Sequence, residues 1–129
     1  MPLVRIEVLK GRPAAEKKRL LDAVHAALVE AFEILEDDRT QRLIEHDPEN
    51  FEIETARSER YTLVEITAFP GRSRQAKRAL YASIVRNLEA IGTPANDVLV
   101  VIHEPPLQDW GIRGGRSGDE VELGYSLDV

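Results

Sequence analysis

Hydrophobic and polar residues alternate along two short segments of the chain, and each segment is followed by apolar residues at helical spacing. Residues 3–9 (LVRIEVL) and 61–69 (YTLVEITAF) have the period of two that is typical of β-strands. The apolar positions that follow recur every three or four residues, which predicts an amphipathic helix after each strand. The two helical stripes consist of Leu20, Val24, Ala27, Leu28 and Ala31, and of Leu80, Ile84, Leu88 and Ile91.

Turn and capping residues mark where these elements begin and end. Pro13 suits the first turn of the first helix, and Ser73 is a typical N-cap for the second helix. Gly92 is of the type that ends a helix. A further strand is predicted after each helix, over 40–46 (TQRLIEH) and 98–104 (VLVVIHE).

The first part of the chain resembles the second when the two are aligned with a shift of 60 residues, so that 3–12 (LVRIEVLKGR) falls on 63–72 (LVEITAFPGR). A shared strand, a shared Gly-Arg turn and a shared helix phase indicate a duplicated unit. The identical pairs are Leu3/Leu63, Val4/Val64, Ile6/Ile66, Gly11/Gly71, Arg12/Arg72, Lys17/Lys77, Leu20/Leu80, Leu28/Leu88 and Asp37/Asp97.

The duplication predicts a single domain over residues 1–129. Its units cover about 1–46 and 61–104, with a polar connector over 47–60 between them and a C-terminal arm over 105–129. Each unit is a strand, a helix and a strand. Two β-α-β units with right-handed crossovers give an α+β fold, in which a four-stranded mixed sheet carries both helices on one face.

The other face of this sheet needs a cover, because the sequence contains no third long helix. Packing of sheets between copies of the chain is the natural solution, so a homo-oligomer is predicted. Residues 121–127 (VELGYSL) alternate like a strand, and we expect them to pair with a neighbouring subunit.

Composition narrows the classes of function. The 129 residues carry a net charge of −6 and include no cysteine. An acidic chain without clusters of Lys and Arg argues against binding to nucleic acid or to an anionic membrane. The lack of cysteine excludes disulfides and thiolate metal sites. The chain also lacks an apolar run long enough for a membrane span or a signal peptide, so a cytoplasmic location is predicted.

No cofactor or metal site is predicted. His25, His46 and His103 lack the spacing of metal ligands and are interpreted as structural or solvated residues, with His25 on the polar face of the first helix. The sequence has no Walker-type loop and no GxGxxG after a strand, which are the usual signs of nucleotide binding.

The quoted segments resemble the tautomerase superfamily. Pro2 follows the initiator Met1 and precedes a strand, a Gly-Arg turn and an amphipathic helix. The stretches GRSRQAKRALYASIV and VLVVIHEPPLQDWGIRGG resemble the later part of a 4-oxalocrotonate tautomerase subunit. A fused chain of this length with one terminal proline is also similar to malonate semialdehyde decarboxylase. The resemblance implies the β-α-β tautomerase fold and a homotrimer.

The resemblance also implies a set of site residues. Asp38 is expected to orient a water molecule or to hold the proline ammonium. Trp110 is expected to line the pocket; otherwise it is a hydrophobic plug at a subunit interface. The implied residues are Pro2, Asp38 in EDDRTQ, Arg72 and Arg74 in RSR, and Trp110 in QDWG.

The chemistry of these residue types fits small acidic substrates. Removal of Met1 converts Pro2 into a secondary amine, and free α-amino groups titrate near pH 7.7–8, close to the best pKa for a base at neutral pH. Arg72 and Arg74 suit a carboxylate, because a guanidinium offers two parallel hydrogen bonds. Arg12 has the matching position in the first unit and is a third candidate for substrate binding.

The predicted function is a cofactor-free tautomerase, an isomerase of small oxo acids with Pro2 as general base. Thr62 stands at the position that matches Pro2 in the second unit, so each chain holds one catalytic amine. Two alternatives stay open. One is decarboxylation of a 3-oxo acid such as malonate semialdehyde, and the other is a catalytically silent, oligomeric binding module that retains Met1 or has a filled pocket.

Overall fold

The computed structural model describes all residues, 1–129, and shows one sheet backed by two helices. The sheet order is β2-β1-β3-β4, with β1 parallel to β2, β1 antiparallel to β3, and β3 parallel to β4. The predicted four-stranded mixed sheet is therefore confirmed. The elements are β1 Pro2–Leu9, α1 Ala14–Phe32, β2 Thr40–His46, β3 Thr62–Ala68, α2 Arg74–Glu89 and β4 Val98–His103.

A single apolar core lies between the sheet and the helices. Alternate residues of β1 and β3 point toward the helices, and the helical stripes meet them. Full burial of each such side chain stabilises the fold by about 1.5–3 kcal/mol. Phe32 also belongs to the core, whereas Ala31 is only partly buried. The central core residues are Val4, Ile6, Val8, Val64, Ile66, Leu20, Val24, Leu28, Leu80, Ile84 and Leu88.

The start of α2 is defined by a side-chain cap. The Oγ atom of Ser73 accepts a hydrogen bond from the backbone N–H of Ala76 at 3.0 Å, which confirms the predicted N-cap. The turn before it requires Gly71, whose φ of +128° is strained for residues with a Cβ. Gly11, at the matching point of the first unit, has a φ of +124°. The duplication thus extends to backbone conformation.

The C-terminal segment does not form the predicted strand over 121–127. It lies instead on the β3–α2 turn of its own chain, where the backbone N–H of Ser73 donates to the carbonyl oxygen of Val129 at 3.0 Å. Leu123, Tyr125 and Leu127 are half-buried, and the residues between them are exposed. The alternation therefore reflects one-sided packing of an extended segment, which has the same period of two as a strand.

The position of His25 also differs from the prediction. The residue is only 5% exposed and so does not lie on the polar face of α1; its Nε2–H donates to the carbonyl oxygen of Glu36 at 2.8 Å, which makes it a structural residue. This hydrogen bond ties α1 to the turn that precedes β2. No helix in the structure has both the length and the apolar character that a membrane crossing requires.

We expect His25→Ala to destabilise the fold by about 1–3 kcal/mol, because the carbonyl of Glu36 loses its partner in a partly buried position. Urea denaturation monitored by circular dichroism measures this change. Arg19→Ala, on the exposed side of the same helix, is the matched control and should stay within about 0.5 kcal/mol of the parent. Equal stability of the two variants would show that the hydrogen bond contributes nothing.

Candidate active site

The topology of the sheet places Pro2 beside the β3–α2 turn. Pro2 is buried at the start of β1, and its partner in the antiparallel pairing is Ala68 at the end of β3. Arg72 lies four residues after Ala68, in the turn that leads into α2. Residues that are distant in the sequence therefore meet at one end of the sheet.

A pocket of about 400 Å³ opens at this end. It is mainly apolar with a few polar groups, which is the usual composition of a small-molecule site. Asp38 and Arg113 supply its charged side chains. The residues that line it are Met1, Leu35, Asp38, Phe69, Ile112, Arg113, Leu123 and Tyr125.

Asp38 contacts the start of the chain. It lies in the turn between α1 and β2, and its carboxylate forms an ion pair with the N-terminal ammonium of Met1. The side chain of Asp38 is only 19% exposed, so the attraction is less screened than at an open surface. The carboxylate of Asp38 therefore stabilises a positively charged ammonium at the N-terminus of the chain.

Arg72 is a buried guanidinium with unused hydrogen-bond donors. The residue is 5% exposed, and its Nη1 donates to the carbonyl oxygen of Phe69 at 3.2 Å. Its Nε and Nη2 atoms are buried without a partner. Its Cζ lies 4.9 Å from the ring centroid of Phe32. Burial lowers the pKa of Arg72, while Tyr125 opposes that change. Unpaired buried donors are rare in folded proteins, so this guanidinium is well suited to an incoming anion.

Trp110 and Arg74 are not among the residues that line the pocket, although Trp110 was expected to line it. The indole Nε1–H of Trp110 donates to the carbonyl oxygen of Pro105 at 3.0 Å. Its ring packs edge-to-face on Phe69, with centroids 4.6 Å apart. Trp110 therefore supports a wall residue from behind. Arg74 is the first residue of α2 and is exposed.

Arg12 lies at the other end of the sheet. It follows β1, whose eight residues span roughly 25 Å from Pro2. Its Nη2 donates to the carbonyl oxygen of Arg60 at 2.9 Å and to Oγ1 of Thr62 at 3.1 Å. Because β1 and β3 are antiparallel, matching points of the two units lie at opposite ends. The structure thus separates Arg12 from Pro2 within one chain.

Two polar residues of the pocket were missed by the sequence reasoning. Arg113 stands inside a short hairpin turn between Gly111–Ile112 and Arg116–Ser117, with a φ of +51°. Tyr125 lies on the C-terminal segment. The signals available were an arginine that interrupts a glycine-rich turn and an aromatic hydroxyl in an alternating segment. Neither signal indicates what the side chain contacts.

Comparison with known proteins agrees with this geometry. Two family models described as tautomerase enzyme match the chain, one over residues 38–113 and the other over residues 2–54. The chain belongs to the tautomerase family. The predicted superfamily is therefore confirmed, and the matches together include both Pro2 and Asp38.

Three members of the comparison match this chain over most of its length. The probable tautomerase YrdN of Bacillus subtilis (strain 168) is 30% identical, over 91% of this chain and 95% of YrdN. A malonate semialdehyde decarboxylase structure is 32% identical with a TM-score of 0.81, and the match covers 88% of this chain and 92% of that one. A fused 4-OT that forms a symmetric trimer is 25% identical with a TM-score of 0.79, over 91% and 96% of the two chains.

Proposed function

We propose that this tautomerase interconverts the keto and enol forms of small oxo acids, with the amine of Pro2 as general base and without a cofactor. One observation carries the proposal. The buried start of β1 lies at a mainly apolar pocket that also holds the carboxylate of Asp38, beside the unpaired guanidinium of Arg72.

The proposed base forms when Met1 is removed. A free secondary amine at Pro2 then replaces the Met1–Pro2 amide, and its ammonium form takes over the ion pair that the Met1 ammonium makes with Asp38. The burial of Pro2 and the positive charge of Arg72 favour the neutral amine, whereas Asp38 favours the protonated amine. These opposing effects keep the amine able both to accept and to return a proton near neutral pH.

The proposed carboxylate site is the start of α2. The Nε and Nη2 atoms of Arg72 form one edge of the guanidinium, which matches the two oxygens of a carboxylate. Arg74, two residues further along at the exposed start of α2, is the proposed second positive charge. Arg12 contributes only if another subunit brings it to this pocket.

The proposed reaction moves one proton. Pro2 takes the proton from the enol hydroxyl, and the electron pair of the O–H bond re-forms the carbonyl while the enol double bond shifts toward the acceptor carbon. The protonated proline, held by Asp38, then delivers the proton to that carbon. The arginines hold the carboxylate and stabilise the negative charge that spreads over the substrate in the transition state.

Two measurements on the purified protein test this proposal together. Intact mass spectrometry is expected to show the loss of one methionine. Ultraviolet assays are expected to show ketonisation of 2-hydroxymuconate and of phenylenolpyruvate faster than in buffer. An active protein that retains Met1 would contradict the proposal, because the amide nitrogen of Pro2 is not basic. An inactive protein that retains Met1 would support the silent binding module.

Decarboxylation of a 3-oxo acid is the second candidate. It is favoured by the likeness to malonate semialdehyde decarboxylase and by the contact of Asp38 with the N-terminal cation, which suits a proline ammonium that donates a proton. In this reaction the arginines polarise the carbonyl. Formation of acetaldehyde and carbon dioxide from malonate semialdehyde, at a rate above that of ketonisation, would favour this candidate.

We further propose that the protein is a cytoplasmic homotrimer. The face of the sheet away from the helices carries both charged and apolar residues, among them Arg5, Glu65 and the 40% exposed Leu99. The fused 4-OT relatives form trimers. Light scattering is expected to give a mass close to three times the 14.5 kDa of the chain.

A further inference from the structure

Tyr125 lines the pocket, but the proposed mechanism does not use it. Its side chain lies between the start of the chain and Arg72. Its hydroxyl lies 3.5 Å from the carbonyl oxygen of Met1. The carbonyl carbon of Met1 is bonded to the nitrogen of Pro2, so this hydroxyl points at the place where the free amine forms. The same side chain lies close enough to Arg72 for each group to shift the pKa of the other.

The environment of Tyr125 keeps its hydroxyl protonated. Burial raises the pKa of Tyr125, and the negative charge of Asp38 raises it further, while Arg72 and Arg113 act in the opposite direction. The phenol is therefore neutral at physiological pH. A neutral phenol with one O–H is a hydrogen-bond donor for a developing oxyanion.

We propose that Tyr125 is a further catalytic residue, whose hydroxyl donates a hydrogen bond to the oxo oxygen of the substrate while Pro2 transfers the proton. The inference rests on the proposed function of Pro2 and Arg72. With the carboxylate bound to Arg72 and the reacting carbon next to Pro2, the oxygen between them faces Tyr125.

The proposed proton transfer needs no reactant other than the substrate and Pro2. In the enolising direction Pro2 takes a proton from carbon, the C–H electron pair forms the enol double bond, and the carbonyl π pair moves onto oxygen. The hydroxyl of Tyr125 stabilises this oxygen and keeps its own proton. The proline ammonium then protonates the oxygen or another carbon, and the amine is restored.

The position of Tyr125 depends on the C-terminal segment, which docks on the β3–α2 turn. Gly71 allows a close approach: a Cβ at this position would lie 3.1 Å from the Cβ of Leu127. The backbone hydrogen bond from Ser73 to Val129 holds the end of the segment. Gly71 is thus required both for its φ and for the space that Leu127 occupies.

The first test is Tyr125→Phe, which removes only the hydroxyl. We expect kcat for ketonisation of phenylenolpyruvate to fall about 10²-fold, with KM changed less than threefold, because the lost hydrogen bond acts on charge that develops in the transition state. Tyr81→Phe, on the exposed side of α2, is the matched control and should leave kcat unchanged. A wild-type kcat in Tyr125→Phe overturns the proposal.

The second test compares Gly71→Ala with Gly11→Ala. Both substitutions introduce a Cβ at nearly the same positive φ, so we expect similar losses in melting temperature. Only the first pushes on Leu127, since no atom lies within 4 Å of a Cβ at Gly11. We therefore expect kcat to fall at least tenfold more in Gly71→Ala. Equal kcat values would overturn the role of the docked segment.

Pro2→Ala, in the same assays, tests the proposed function by itself. Reduced activity in Pro2→Ala, which keeps only a primary amine, together with full activity in Tyr125→Phe would reject only the role of Tyr125. Full activity in Pro2→Ala would reject the proposed function, whatever the result for Tyr125. The two failures are therefore distinguishable.

Discussion

Blocking the amine of Pro2 is expected to lower kcat/KM for ketonisation by about 10²–10⁴-fold, which is the usual contribution of a positioned general base. The most direct variant keeps Pro2 and adds, on its nitrogen, a peptide that a protease can remove. The nitrogen is then an amide with no basic lone pair, while the ring, β1 and the core stay as they are. Ultraviolet assays with 2-hydroxymuconate measure the rate before and after the peptide is removed.

The protease treatment supplies the control within one preparation. Removal of the peptide leaves Pro2 as the first residue, and activity is expected to return in proportion to the freed N-terminus seen by mass spectrometry. Pro2→Ala keeps a primary amine in a less rigid position, so its activity should lie between the two forms. Full activity of the blocked protein would exclude the amine as the base.

Replacing Arg72 by methionine is expected to lower kcat/KM by about 10²–10⁴-fold without lowering the melting temperature. The loss corresponds to two hydrogen bonds between charged groups, each worth about 1.5–3 kcal/mol. Stability should behave differently, because removing two buried donors that have no partner, Nε and Nη2, offsets the loss of the hydrogen bond from Nη1 to the carbonyl oxygen of Phe69. Methionine also keeps contact with the ring of Phe32.

The combination of lost activity and unchanged or increased stability is the informative result. A purely structural role for Arg72 predicts the reverse, with a lower melting temperature and normal activity in the folded fraction. Arg78→Met, at an exposed position on α2, is the matched control for both measurements. Activity of Arg72→Met within threefold of the control would exclude Arg72 as the carboxylate site.

Much of the fold was predictable from the sequence because its determinants are local. Strand alternation, helical stripes and the cap at Ser73 depend on residues a few positions apart, and the structure confirms them. The repeat supplied the rest of the architecture, since two equal β-α-β units share one sheet. His25 was misplaced because a polar residue next to the core stripe is compatible with either face until its partner, the carbonyl of Glu36, is known.

The sequence alone determined the elements, the family resemblance and the residue types from which a site can be built. The tertiary structure decided which of them meet. Arg12 and Arg72 are equivalent in the repeat, yet the antiparallel pairing of β1 with β3 brings only Arg72 to Pro2 and leaves Arg12 beside Thr62. Likewise, the alternation near Tyr125 predicted a strand. Whether such a segment joins a sheet or packs on a turn depends on long-range contacts, which no local pattern contains.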